Sequence, residues 1–123
     1  MAYNNFKYDV DADGIALVTW DMPGKSMNVF TEEVMVELNA ITDKVMADEA
    51  VKGVVFTSGK DSFSGGADLT MLKGMFEIYR KEKAKDPEKA VKILFEMTGK
   101  MTGLFRKIET SGKPWVSAIN GIC

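Results

Sequence analysis

Apolar and polar positions alternate at the start of the chain. Phe6, Tyr8 and Val10 are separated by Lys7 and Asp9, the two-residue period of a strand with one buried face. Asp11-Ala12-Asp13-Gly14 is a turn whose glycine is free to take positive φ. Ile15 to Trp20, largely β-branched and aromatic, predicts the second arm of a hairpin. Met22-Pro23-Gly24-Lys25-Ser26 interrupts it as a loop. Thr31 is a good helix N-cap, and Glu32 and Glu33 suit the positive end of the helix dipole. Val34, Leu38, Ile41 and Val45 then fall on one stripe of a helix ending near Ala47.

Val51 to Thr57 predicts a short interior strand, and the glycine- and serine-rich stretch from Ser58 to Gly66 a loop. Asp68 to about Tyr79 reads as a helix with Leu69, Leu72, Met75 and Phe76 on one side, followed by a solvated charged stretch from Lys81 to Asp86. Asp86-Pro87 is a helix start, with Asp as cap and Pro at the first helical position. The stripe that follows predicts burial of Val91, Leu94, Phe95, Met101, Leu104 and Phe105, in a helix ended by Ser111-Gly112-Lys113-Pro114. Trp115 to Ile119 is a last strand, and Asn120-Gly121 a turn. The order β-β-α-β-α-α-β places the chain in the α/β class. A strand and turn at the very end introduce a unit rather than close one, so the chain is expected to be a piece of a larger domain.

Composition narrows the chemistry. Lys and Arg total 16 against 18 Asp and Glu, a net charge of −2, which gives no electrostatic basis for nucleic acid or an anionic membrane. There is no histidine, which removes Ser-His and Cys-His catalysis and zinc–histidine sites. Nothing in the sequence points to a metal site. The one cysteine, Cys123, reads as a small core residue, since nothing near it in sequence would lower its pKa. No stretch approaches the roughly 20 apolar residues of a membrane span, and the N-terminus has no secretory pattern. The expected setting is the cytoplasm.

Two stretches carry the candidate chemistry. Ser62-Phe63-Ser64-Gly65-Gly66-Ala67-Asp68-Leu69 joins a strand to a helix. Paired glycines admit close backbone approach, and free N–H groups at a helix start suit an anion or oxyanion. By spacing alone the favoured reading is a glycine-rich turn with Asp68 as an acidic first-turn residue. Trp115-Val116-Ser117-Ala118-Ile119-Asn120-Gly121, by pattern, is a core strand entering a tight turn. Gly24-Lys25-Ser26 ends like a P-loop, but Thr19 occupies the position of the required earlier glycine, and there is no G-x-G-x-x-G.

Ser64-Gly65-Gly66-Ala67-Asp68-Leu69, followed by Lys113-Pro114-Trp115-Val116-Ser117-Ala118-Ile119-Asn120-Gly121, resembles the crotonase (enoyl-CoA hydratase/isomerase) superfamily. Pro23 to Asn28 is similar to that family's early loop, with one extra residue. The resemblance runs from the opening hairpin to Cys123. Gly66-Ala67-Asp68-Leu69-Thr70-Met71-Leu72, the charged stretch from Arg80 to Glu88, and Gly112-Lys113-Pro114-Trp115 look most like the hydratase end of the multifunctional α subunits of bacterial fatty-acid oxidation complexes.

The resemblance implies the N-terminal part of a crotonase-type ββα superhelix, with residues 1–123 a partial hydratase/isomerase domain and an NAD-dependent 3-hydroxyacyl-CoA dehydrogenase domain outside this chain. It implies hydration of 2-enoyl-CoA thioesters in fatty-acid β-oxidation, with enoyl-CoA isomerase, acyl-CoA hydrolase or decarboxylase chemistry as the alternative. A non-catalytic α/β interaction module, using the Pro87–Ile108 helix, is the third reading. By the same resemblance the Ala67 N–H is a backbone oxyanion donor. The Gly65 carbonyl accepts from the CoA adenine, and Lys25, Ser26, Met27, Gly66, Asp68 and Leu69 line the CoA site. The second donor and both acid/base glutamates are expected past Cys123. Coenzyme A enters only as part of the substrate, and NAD serves only the dehydrogenase domain. The implied partners are further copies of the chain or a thiolase subunit.

Overall fold

The computed structural model describes residues 2–123. Strands β1 (Phe6–Val10) and β2 (Ile15–Trp20) form an antiparallel hairpin, with Phe6 opposite Trp20 and Val10 opposite Ala16. The Asp11 carboxylate ties its turn by accepting from the N–H groups of Asp13 and Ile15. Gly14 takes a φ of +84°, and a Cβ there would strike the Ala50 carbonyl. Only glycine meets both demands.

Helix α1 (Glu32–Ala47) begins at Thr31, whose Oγ1 accepts from the Val34 N–H at 3.2 Å. It returns the chain to β3 (Gly53–Ser58), which runs parallel to β2. Helices α2 (Leu69–Lys83) and α3 (Pro87–Glu109) form the next crossover, and β4 (Trp115–Ala118) lies parallel to β3. The sheet order is β1-β2-β3-β4, so β3 is interior as its sequence predicts.

The core lies on one face of this sheet. Ala16, Val18 and Trp20 of β2 meet Val34, Leu38, Ile41 and Val45 of α1, with Phe6 and Val54 beside them. The opposite face carries Leu17 and Val116, at 41% and 59% exposure. Lys113 closes the far end of α1 by donating from Nζ to the carbonyl of Val45, in the last turn, where helix carbonyls lack intrahelical partners, and to that of the cap residue Asp48, which also accepts from the Val51 N–H.

Three expectations change. Helix α2 continues to Lys83, past Tyr79, because Arg80, Lys81 and Lys83 are good helix formers placed at the negative end of its dipole. The α3 stripe is real but mostly uncovered. Only Ala90 and Leu104 are buried, Leu94 and Met101 are half-buried, and Val91, Phe95 and Phe105 are exposed. Helix α3 packs mainly on α2. Its C-terminal half reaches α1, where Lys107 pairs with Asp43 at 2.6 Å and donates to Asn39 at 2.8 Å. Cys123 is exposed and is not a core residue.

Replacing Leu104 by Ala should therefore cost about 2–5 kcal/mol, whereas Phe95→Ala should change stability by no more than about 0.5 kcal/mol. Urea denaturation of the two variants reads the contrast directly, and equal losses would show that the whole stripe is packed.

Candidate functional site

The glycine-rich loop leaves β3 at Ser58 and enters α2 at Leu69. It is held first by Asn28, which is fully buried. The Asn28 amide donates to the Trp20 carbonyl at 2.8 Å and to the Ser58 hydroxyl at 2.9 Å, and its Oδ1 accepts from the Met22 N–H at 3.1 Å. Its backbone carbonyl accepts from the Gly65 N–H at 2.7 Å. The Ser58 hydroxyl passes the connection on by donating to the Ser62 carbonyl at 2.7 Å. Buried polar groups are tolerated only when paired in this way.

Phe30 fixes the segment before α2. Its N–H donates to the Gly66 carbonyl at 2.8 Å and its carbonyl accepts from the Asp68 N–H at 3.0 Å, a parallel bridge with Ala67 between them. Peptide groups alternate sides along an extended pair, so the Ala67 N–H points away from Phe30. It has no acceptor among the described residues. Gly66 reaches this geometry with a φ of +82°. Asp68 caps α2 by accepting from the Met71 N–H at 2.9 Å, so it is the cap itself and not a first-turn residue. The unpaired N–H thus sits beside the positive end of a helix.

Met27 packs against Gly65 so closely that an added Cβ would lie 2.5 Å from its sulfur. The structure therefore brings Met27, Gly65, Gly66, Ala67 and Asp68 together. Lys25 and Ser26 are exposed on the same loop, and Lys25 borders a separate open cleft of about 550 Å³ shared with Asn4, Thr31 and Glu33. Leu69 is 80% exposed. Next to the bridge lies an apolar cavity of about 310 Å³, walled by Phe30, Phe56, Phe63, Ser64, Phe105 and Trp115. No carboxylate lines it.

Lys60 anchors the loop to the strand on its other side. Its ammonium donates to the Met22 carbonyl at 2.7 Å and pairs with Asp21 at 3.1 Å, and Lys7 reaches the same carboxylate at 3.1 Å. Hydrogen bonds from Lys7 and then Lys60 hold the Asp21 carboxyl below the usual carboxylate range. Asn28, Ser58 and Lys60 were not marked by sequence, since lone polar residues in loops carry no periodic signal. Among the described residues, no group of three or more acidic or cysteine side chains is placed to hold a metal, and no helix is long and apolar enough to cross a membrane.

The family profile described as enoyl-CoA hydratase/isomerase matches residues 11–123. The chain belongs to that family. The fatty acid oxidation complex subunit alpha of Idiomarina loihiensis is 38% identical over 119 residues, covering 96% of this chain and 15% of its own length. That of Shewanella frigidimarina is 38% identical over 112 residues, 90% of this chain and 14% of its own. The chain thus spans about 15% of the length of these relatives.

Among solved structures, an enoyl-CoA hydratase from Shewanella pealeana superposes with a TM-score of 0.76 at 17% identity, over 97% of this chain and 40% of that one. A Legionella pneumophila enoyl-CoA hydratase/isomerase (crotonase) gives 0.74 at 22% identity, over 98% and 41%. This likeness establishes the fold: an α/β arrangement forming an N-terminal part of the crotonase fold.

Two outcomes follow from this geometry. Asn28→Ala should cost about 2–4 kcal/mol, because it strands the buried Met22 N–H and removes a donor from both the Trp20 carbonyl and the Ser58 hydroxyl. Calorimetric unfolding reads that loss. Asp21 has a depressed folded-state pKa, so its contribution is complete above the unfolded value near 4 and is lost as pH falls through the folded value. Asp21→Asn should then be less stable than the unaltered chain at pH 7, with the gap closing below about pH 4. Urea midpoints across that range test it, and a constant gap would contradict it.

Proposed function

We propose that this chain is the acyl-CoA-binding, oxyanion-stabilising portion of an enoyl-CoA hydratase acting on 2-enoyl-CoA thioesters in fatty-acid β-oxidation. The observation that carries the reading is the Ala67 N–H, left without an acceptor at the head of α2 while both neighbouring peptides are paired to Phe30. Addition of water to an enoyl thioester drives negative charge onto the thioester oxygen, and a preorganised N–H aimed at it is worth a few kcal/mol in the transition state. A backbone donor needs no side chain, and the open space at Gly66 leaves room for a ligand to approach. Family membership and the likeness to fatty acid oxidation complex alpha subunits support the fatty-acid assignment.

In this reading Gly65, Gly66, Asp68 and Leu69 line the CoA path together with Met27 and the backbone of Lys25 and Ser26. The groups that deliver and remove protons lie outside residues 1–123. The chain's own carboxylates support that division. Asp68 caps a helix, Asp21 pairs with two lysines, Glu37 accepts from Asn4 and Asn5, and none borders the apolar cavity. Isomerase and hydrolase members of the family would share the oxyanion donor and differ in those outside groups. The proposal extends to a thiolase subunit or further copies of the chain as partners, to NAD only in a separate dehydrogenase domain, and to a cytoplasmic enzyme.

The purified 123-residue chain should bind CoA weakly and leave crotonyl-CoA absorbance unchanged, since each missing acid or base withholds about 10²–10⁴ in rate. No binding at millimolar CoA would overturn the substrate class. Steady turnover by the chain would overturn the placement of proton transfer outside it.

A further inference from the structure

We infer that Asn120 is a positioning residue for the oxyanion donor at Ala67, an inference that rests on the function proposed above. The turn after β4 is docked along the glycine-rich loop by side chain and main chain together. The Asn120 amide donates to the Lys60 carbonyl at 2.7 Å, with the Ser58 carbonyl 3.4 Å away. The Ile122 carbonyl accepts from the N–H groups of Phe63 at 2.7 Å and Ser64 at 3.2 Å. Gly121, at a φ of +71°, lets the turn lie against Asp61, where a Cβ would collide with the Asp61 carbonyl. One step further back, the Thr57 hydroxyl donates to the Ala118 carbonyl at 2.9 Å.

The orientation of the Asn120 amide follows from its surroundings. Turned over, its oxygen would face two carbonyl oxygens, so the NH₂ must point at the loop. Its Oδ1 is buried and accepts nothing among the described residues, so the residue is held in place by what it donates. Asn28 secures the loop from the β2 side and Asn120 from the β4 side. Between the Ile122 contacts and the Phe30 bridge lie only Gly65, whose N–H is held by the Asn28 carbonyl, and Gly66, whose N–H donates to the hydroxyl of Ser64 at 3.0 Å, the same residue whose own N–H is held by Ile122. The direction of the Ala67 N–H therefore depends on both anchors. Displacement of a catalytic group by about 1 Å costs on the order of 100-fold.

Two ligands separate positioning from general structure. Free CoA probes the site without an oxyanion, whereas acetoacetyl-CoA forms an enolate that carries the charge an oxyanion donor favours. The unaltered chain should prefer acetoacetyl-CoA and raise its enolate absorbance. In Asn120→Asp, which keeps the shape but removes the donor, that preference should fall about 10-fold or more, with free CoA affinity unchanged within about twofold. Preference retained by Asn120→Asp overturns this inference alone. No preference in the unaltered chain overturns the functional reading and this inference with it. If Asn120→Asp does not fold, hydrogen exchange on the unaltered chain decides: the Phe63 and Ser64 amides should exchange as slowly as those of β4. Exchange at free-peptide rates there, with β4 protected, refutes the anchor.

Discussion

The side chain of Asn28 is the constraint on which the other contacts depend. It lies with no solvent exposure where three segments converge: the end of β2, the loop before α1, and the loop after β3. A buried amide is costly unless its groups are paired. Here the pairings reach the backbone of Trp20 and Met22 and the hydroxyl of Ser58, so the cost of burial is offset only when all three segments are in register. Trp20 depends on the same register, since its ring packs on Phe6 and Phe30, and Phe30 carries the bridge flanking Ala67. The candidate site is thus an extension of the β2 core and not an appendage to it.

Charge reinforces this arrangement from outside. Lys60 spans from the glycine-rich loop to the Met22 carbonyl and to Asp21, with 12% of its side chain exposed. An ammonium so enclosed contributes through several short hydrogen bonds at once, unlike the pair between Arg106 and Glu109, where both partners are largely in solvent. The same economy appears at Lys113, which satisfies two carbonyls at the end of α1 from a loop far away in sequence.

Much of this was legible in the residues. Local chemistry with a period or a cap was read correctly: the hairpin with Gly14 at its turn, Thr31 and Asp86 as caps, and Pro87 at a helix start. The paired glycines before Ala67 mark the place where a backbone N–H is left without an acceptor among the described residues. The stripe of α3 misled because periodicity states which side chains share a face, not whether another element covers it. Phe95 and Leu104 belong to one pattern, yet only Leu104 reaches the core beside α1. Asn28 and Asn120 escaped for a different reason. Asn28 works through the backbone of Trp20 and Met22 and the Ser58 hydroxyl, Asn120 through a carbonyl of a distant segment, and such partners have no signature in the sequence. Trp115 to Gly121, which by pattern was merely a core strand and turn, proved to carry one of the two anchors.

The parallel pairing of β3 with β4 has a consequence for how the molecule assembles. Thr57 and Ala118 are separated by 61 positions, with both α2 and α3 between them, while β1 and β2 meet across a short turn. Closing a long loop carries an entropic penalty before any contact rewards it, so non-local pairings form slowly and local ones first. The hairpin and α1 form the early, cooperative unit. The seam between β4 and the glycine-rich loop closes late, and by the same reasoning it is the first to open from the native state. The geometry around the Ala67 N–H is then acquired at the last step of folding, and it can be lost by a local excursion that leaves the Trp20 core intact.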